Sequence, residues 1–154
     1  MQRRIYPPKN LENVLEKLTT VGPGIHIPIF STKQKALMFA AALGFFRDER
    51  TKIEGRGEGI RFDIFQKALD DGFFDALAIA ETGKLEILSE EYESERADIF
   101  EEYAYTGLLE MNKACFEKEG DPLENLIRLA DEGRSQEEQE IEGIDPNILK
   151  ELIG

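Results

Sequence analysis

Apolar residues recur at spacings of three and four positions along most of the chain. Each such stripe predicts a helix that buries one side against a core. The pattern as a whole predicts a mostly α fold, a compact multi-helix domain of about five to seven helices, with at most a small two-stranded β-ribbon near residues 4–6 and 25–30. The stripes lie at 11–18, 60–69, 73–81, 99–111 and 123–130, and a further apolar helix is predicted at 32–43.

The segment 32–43 is the most apolar of the predicted helices. It contains eight consecutive apolar residues and therefore has no polar side, which predicts a central helix with Phe39 buried. Ser31 is the predicted N-cap, with Gln34 completing a capping box. Gly44 is the predicted end of the helix.

Short signals mark the ends of other helices. Gly83 follows an apolar stripe and predicts a left-handed C-terminal cap. Asp121 followed by Pro122 combines a cap with the preferred first helical residue, and so predicts a helix start. Gly107 lies inside the long acidic stretch 89–118 and is a candidate point for its division into two helices.

The chain is predicted to form one helical domain with an appended segment. Residues 1–130 contain the apolar stripes and the short piece LEIL (85–88), which is predicted to dock on the core. Residues 131–143 contain almost no apolar side chains and are predicted to be an acidic linker. Residues 144–154 are predicted to form a short C-terminal helix.

Charge is divided unevenly along the chain. Residues 1–69 contain 12 Lys and Arg against 7 Asp and Glu, a balance of +5, whereas residues 70–154 contain 7 against 25, a balance of −18. Such asymmetry indicates electrostatic partners, unless both halves are simply solvated. Two partners fit the division: DNA for the basic N-terminal half, and a basic partner protein for the acidic C-terminal half.

Six basic residues of the N-terminal half are predicted to bind an anion such as a nucleic-acid phosphate. A helix N-terminus carries partial positive charge, so lysines at the start of helix 32–43 either stay solvated or meet an anion. If the following loop folds back towards this helix start, the six residues form one positive face. They are Lys33, Lys35, Arg47, Arg50, Lys52 and Arg56.

Side chains that carry catalysis or bind metals are few or badly spaced. No nucleophile stands beside a base, and no phosphate-loop or zinc pattern is present in the sequence. Cys115 and His26 are predicted to be packing residues. Asp98, Glu101 and Glu102 are close together, but their spacing predicts a solvated helix face. We therefore predict no enzymatic activity, no metal and no cofactor, with a metal-dependent phosphodiesterase as the alternative.

No apolar run approaches the roughly 18 residues that a membrane helix requires. The N-terminus has no apolar stretch of the kind found in signal peptides, and a single cysteine fits a reducing compartment. The sequence therefore predicts a cytoplasmic protein with no membrane partner.

Five segments occur in an order that is recognisable as a set: RRIYPPKN (3–10), IFSTKQKALMFAAALGFFRDER (29–50), GIRFDIFQ (59–66), LAIAETGKLEILSEE (77–91) and IFEEYAYTGLLEM (99–111). In this order they resemble the DNA phosphorothioation (Dnd) system-associated protein 4 family, over residues 3–111. The region from Asp131 onward has no counterpart in this resemblance. The resemblance implies a small bacterial cytoplasmic protein, encoded beside genes that replace a backbone phosphate oxygen with sulfur or restrict unmodified DNA. It carries over no catalytic residues.

The expected function is that of a non-catalytic accessory protein. It would belong to a DNA phosphorothioation modification and restriction system in phage defence, and would contact either DNA or a partner protein of that system. A pure protein–protein adaptor or regulator that uses the acidic C-terminal half is the open alternative.

Overall fold

The structure is a computed structural model that describes residues 3–22 and 26–142, with side chains described as far as Glu132. The described residues form six α-helices and no β-strand, which confirms the prediction of a mostly α fold. The helices are α1 (Glu12–Thr19), α2 (Lys33–Phe46), α3 (Phe62–Lys67), α4 (Asp71–Thr82), α5 (Glu93–Asn112) and α6 (Pro122–Glu142).

The chain divides into two compact units, Met1–Lys113 and Ala114–Gly154. The first unit contains α1 to α5, and the second contains α6. Residues 131–142, for which the sequence favours a linker, form the C-terminal half of α6. The predicted helix at 144–154 lies outside the described residues.

The N-terminal segment pairs with the glycine-rich loop that precedes α3. Two isolated antiparallel bridges join Ile5 to Ile60 and Pro8 to Arg56. The Ile5 amide donates to the Ile60 carbonyl at 2.9 Å, and the Ile60 amide donates back at 2.8 Å. The predicted pairing of residues 4–6 therefore exists at Ile5, but its partner is Ile60, and the described residues 26–30 form no strand.

Helices α2 and α5 are in backbone contact at two glycines. A Cβ atom on Gly44 would overlap the carbonyl of Tyr103, and one on Gly107 would overlap the carbonyl of Ala40. Both predictions about these glycines are wrong, because α2 continues to Phe46 and α5 is undivided. Because glycine has no Cβ atom, each of these residues lets the backbone of the other helix approach closely, and neither ends a helix.

Helix α2 is central, as predicted, since it packs against both α1 and α5. Its N-cap is Thr32, whose hydroxyl accepts a hydrogen bond from the Lys35 amide at 3.2 Å, so Ser31 is not the cap. Gln34 makes no capping box because its buried side chain donates to the Asp70 carboxylate. Phe39 is half-buried and lies 5.6 Å from the ring of Phe30.

Four phenylalanines from α3, α4 and α5 form an aromatic cluster in the core of the first unit. The rings of Phe74 and Phe100 stack at 3.9 Å, and Phe65 meets Phe74 edge-on at 5.0 Å. Phe62 completes the cluster at 5.1 Å from Phe74. The predicted stripe at 60–69 is wrong in part, because α3 buries Phe62 and Phe65 whereas Ile64, Ala68 and Leu69 are exposed.

The predicted ends of two helices are confirmed. Gly83 caps α4 in the left-handed conformation, with φ of +70°. Asp121 caps α6 by accepting a hydrogen bond from the Glu124 amide at 3.1 Å. Of the helices in the described part of the chain, none is both long and apolar enough to cross a bilayer.

Candidate nucleic-acid and partner interface

The six basic residues of the predicted anion site do not gather at the start of α2. Lys33 and Lys35 lie in the first turn of α2, whereas Arg47 directly follows its last residue, Phe46. A helix of this length spans about 20 Å, so Arg47 is at the opposite end. The loop that contains the remaining three residues begins along α5, where the Thr51 amide donates to the Glu102 carbonyl. Its far end, at Glu58, lines a pocket that Lys33 also lines.

Four of the six residues form ion pairs with carboxylates of the same chain. Coulomb attraction at these distances neutralises much of the positive charge that a phosphate would meet. The pairs are Lys33 with Glu16 at 3.4 Å, Arg47 with Glu110 at 2.9 Å, Arg50 with Glu102 at 2.9 Å and with Glu81 at 3.0 Å, and Arg56 with Asp98 at 3.9 Å.

Lys35 and Lys52 are exposed, and neither has an ion-pair partner among the described residues. Lys52 and Arg56 line the same pocket of about 200 Å³. The other lining residues are Ile53, Asp98, Glu101 and Glu102. The pocket thus carries charges of both signs and does not present a uniformly positive wall.

Glu101 is the centre of a buried ion pair that the sequence did not predict. Its side chain is 3% exposed, and Arg3 donates to both of its oxygens, at 2.9 and 3.0 Å. The Tyr6 amide also donates to this carboxylate at 2.6 Å, and Arg3 reaches Asp98 at 2.9 Å. Burial raises the pKa of Glu101 above its ordinary value, against the opposing effects of Arg3 and Tyr6.

The prediction that Glu101 faces solvent is therefore wrong. Glu101 falls on the same helical stripe as Ala97, Ala104 and Leu108, all of which are buried. The stripe was the signal in the sequence that could have indicated its burial. Arg3 carried no comparable signal, because it lies 98 residues away in the chain.

A second cluster joins α4, α5 and the loop after α2. The Tyr103 hydroxyl donates a hydrogen bond to Glu81, which also pairs with Arg50. The hydrogen bond from Tyr103 lowers the pKa of Glu81, burial opposes it, and Arg50 lowers the pKa further. The pKa of Tyr103 is raised, chiefly by burial and then by Glu81.

Replacing Glu81 with glutamine is expected to remove a pH-dependent part of the stability. Because the folded-state pKa of Glu81 is lowered from 4.5, its ionised form stabilises the fold above that pH, and this contribution is lost as the pH falls through the folded-state value. The difference in free energy of unfolding between wild type and Glu81→Gln should stay constant near neutral pH and shrink below about pH 4.5. Urea unfolding at a series of pH values measures it.

The matched control for this experiment is Glu86→Gln, because Glu86 is exposed and has no ion-pair partner in the described part of the chain. Its difference from wild type should stay near zero at every pH. A Glu81→Gln difference that does not change with pH would contradict the assigned hydrogen bonds.

Cys115 is buried and its thiol donates to the Pro122 carbonyl at 3.5 Å. Burial, followed by the charge of Asp121, raises the pKa of Cys115 to about 11, so the reactive thiolate is scarce at neutral pH. His26, predicted to be a packing residue, is exposed. Within residues 3–22 and 26–142, no group of three His, Cys, Asp or Glu side chains is placed to hold a metal ion.

The fold and these contacts define an all-α protein in which four arginines of the N-terminal half pair with carboxylates on α5. Part of the positive charge of the N-terminal half is therefore neutralised by carboxylates of the same chain. A model of the family described as DNA sulphur modification system-associated protein 4 matches residues 4–147, and the chain belongs to this family. The match extends past Asp131, which the resemblance in the sequence did not cover. No curated protein and no solved structure matches the chain significantly.

Proposed function

We propose that the protein is a non-catalytic accessory component of a DNA sulfur-modification system that acts by binding another protein of that system. Membership of the family supplies the association with such a system. The observation that supports a protein partner is the pairing of Lys33, Arg47, Arg50 and Arg56 with carboxylates of the chain itself. This pairing offsets the positive charge of four of the six predicted anion-binding residues.

The C-terminal half of the sequence is strongly negative. Residues 70–154 contain 25 Asp and Glu against 7 Lys and Arg. A surface of this sign repels phosphate and attracts basic proteins, which speeds their association and selects among them. The proposed role therefore uses the acidic part of the molecule, in the cytoplasm, beside the enzymes of modification or restriction.

Direct DNA contact is the second candidate, and one observation favours it. The bridge between Pro8 and Arg56 places Lys9 next to Gly55, and the side chain of Arg4 donates to the Gly59 carbonyl at 3.2 Å. Arg4, Lys9 and Arg56 are all exposed. These three side chains extend from two segments whose backbones are hydrogen-bonded to each other, and so form a small basic surface.

A retention experiment with immobilised protein tests both candidates. The other proteins of the modification and restriction system are passed over it, with and without nuclease. Retention that survives nuclease and weakens with salt supports the proposed protein contact. Retention that disappears with nuclease indicates DNA as the bridge and supports the second candidate. Retention of none of these proteins in either condition would contradict the proposed function.

A further inference from the structure

The segment 84–95 leaves several apolar side chains in solvent. It contains two 3₁₀ turns, and the sequence predicted that the first, LEIL, docks on the core. Only Ile87 of this piece is buried, whereas Leu85 is 71% exposed and Leu88 is 39% exposed. Tyr92 in the second turn is 36% exposed. Single exposed apolar residues are ordinary, but three in one short segment indicate a contact surface.

Of these three side chains, Tyr92 lines a pocket of about 170 Å³, together with the buried Ile87. A pocket of this size accepts a side chain and not a large ligand. Its walls combine apolar atoms with charged groups. The lining residues are Thr82, Lys84, Glu86, Ile87, Tyr92 and Glu95.

Four exposed glutamates lie in the same segment as the apolar residues: Glu86, Glu90, Glu91 and Glu95. None of the four has an ion-pair partner among the described residues. This distinguishes them from the carboxylates on the later part of α5, which pair with arginines. Unpaired carboxylates in the same segment as exposed apolar residues favour a partner that is both apolar and basic, because the like charge of a phosphate backbone is repelled.

The backbone of the segment is held in place from inside the protein. Arg96 is 8% exposed, and its guanidinium donates to the carbonyls of Ile87 and Ser89, the latter at 2.8 Å. The two turns are therefore fixed before any partner binds. Such preorganisation lowers the entropy cost of association.

We propose that residues 84–95, together with the pocket they border, bind a basic segment of a partner protein that also carries apolar side chains. The inference rests on the proposed function and assigns it to one surface. Apolar side chains of the segment contact Leu85, Leu88 and Tyr92. Its lysines and arginines pair with the four glutamates, as in other amphipathic segments that dock by an apolar face.

The test uses the full chain and a short labelled peptide composed of lysine and leucine at helical spacing. Its fluorescence anisotropy should rise saturably with wild-type protein. Leu85→Ser/Leu88→Ser should weaken binding by about tenfold or more, since buried apolar contacts dominate such interfaces. The matched control is Leu123→Ser/Ile127→Ser, because these residues of α6 are 42% and 53% exposed and lie outside the surface. The control should bind as wild type does.

A second variant tests the charges. Glu86→Gln/Glu91→Gln should weaken binding and reduce its dependence on salt, whereas Glu124→Gln/Glu132→Gln on α6 should not. All of these side chains are exposed, and thermal unfolding of each variant verifies that it is folded.

Several outcomes would overturn the assignment: no binding by wild type, equal binding by the surface variants, or an equal loss in the matched controls. The peptide assay contains no protein of the modification system, so its failure leaves the retention experiment standing. Conversely, if Leu85→Ser/Leu88→Ser retains the system's proteins as well as wild type does, this surface is excluded while the proposed function holds.

Discussion

Replacing Gly107 with alanine is expected to lower the free energy of unfolding by about 3 kcal/mol, or to prevent folding. The added Cβ would overlap the Ala40 carbonyl, which is backbone and has no rotamer by which to move away. Helices α2 and α5 would have to separate, which opens the centre of the first unit. Such a loss is a large share of the about 5–15 kcal/mol that typically stabilises a domain. Gly44→Ala meets the Tyr103 carbonyl in the same way and should behave alike.

The matched control is Gly72→Ala. Gly72 lies in α4, and an added Cβ there meets no atom within 4 Å. Alanine favours helix over glycine, so this variant should be unchanged or more stable by up to about 1 kcal/mol. Urea unfolding followed by far-UV circular dichroism measures all three variants. If Gly107→Ala and Gly72→Ala were equally stable, the close approach of α2 and α5 would be wrong.

Replacing Arg3 with alanine is expected to cost about 3 kcal/mol of stability at neutral pH. The substitution leaves the Glu101 carboxylate, which is 3% exposed, without its guanidinium partner. The Tyr6 amide still donates to it, but one hydrogen bond does not offset the burial of a charge. Because burial already raises the pKa of Glu101, protonation in acid should make the loss smaller there.

A double-mutant cycle measures the interaction energy between Arg3 and Glu101 separately from their other contacts. Arg3→Ala/Glu101→Gln should cost less than the sum of the two single variants, by about 1–3 kcal/mol. The matched control is Arg61→Ala, because the Arg61 side chain is 60% exposed and pairs with Asp63 at 3.5 Å. Surface pairs of this kind contribute about 1 kcal/mol or less. Additive costs for Arg3 and Glu101 would show that the two side chains do not interact.

The helices and several of their ends could be predicted from the sequence because those signals are local. The cap at Gly83 and the start at Asp121 depend on residues within one turn of each other, and the structure has both. The predictions for Gly44 and Gly107 were wrong because the contact that each glycine makes is with a distant part of the chain. A glycine that ends a helix and one that admits a neighbouring backbone look the same in sequence, and only the packing of Gly44 and Gly107 separates them.

The candidate site was harder to predict because charge pairing is long-range. The sequence singles out basic residues of the N-terminal half, but the partners of two of them, Glu102 and Glu110, lie more than fifty residues away. The net charge of each half of the sequence therefore overstates how much unpaired charge is available to bind a ligand. The exposure of Leu85 and Leu88 could likewise not be predicted from the sequence, because a short apolar piece such as LEIL is equally compatible with burial.

We propose that the basic residues of the N-terminal half stabilise the fold and that the protein's partner is not DNA. The most direct test is an anisotropy titration of labelled duplex DNA, with and without backbone sulfur, at low and rising salt. We expect no saturable binding by wild type at physiological salt, and no difference for Lys35→Ala/Lys52→Ala. Saturable binding by wild type at physiological salt would contradict this proposal, and a log–log salt slope that falls by about one unit for each lysine removed would assign the contact to Lys35 and Lys52.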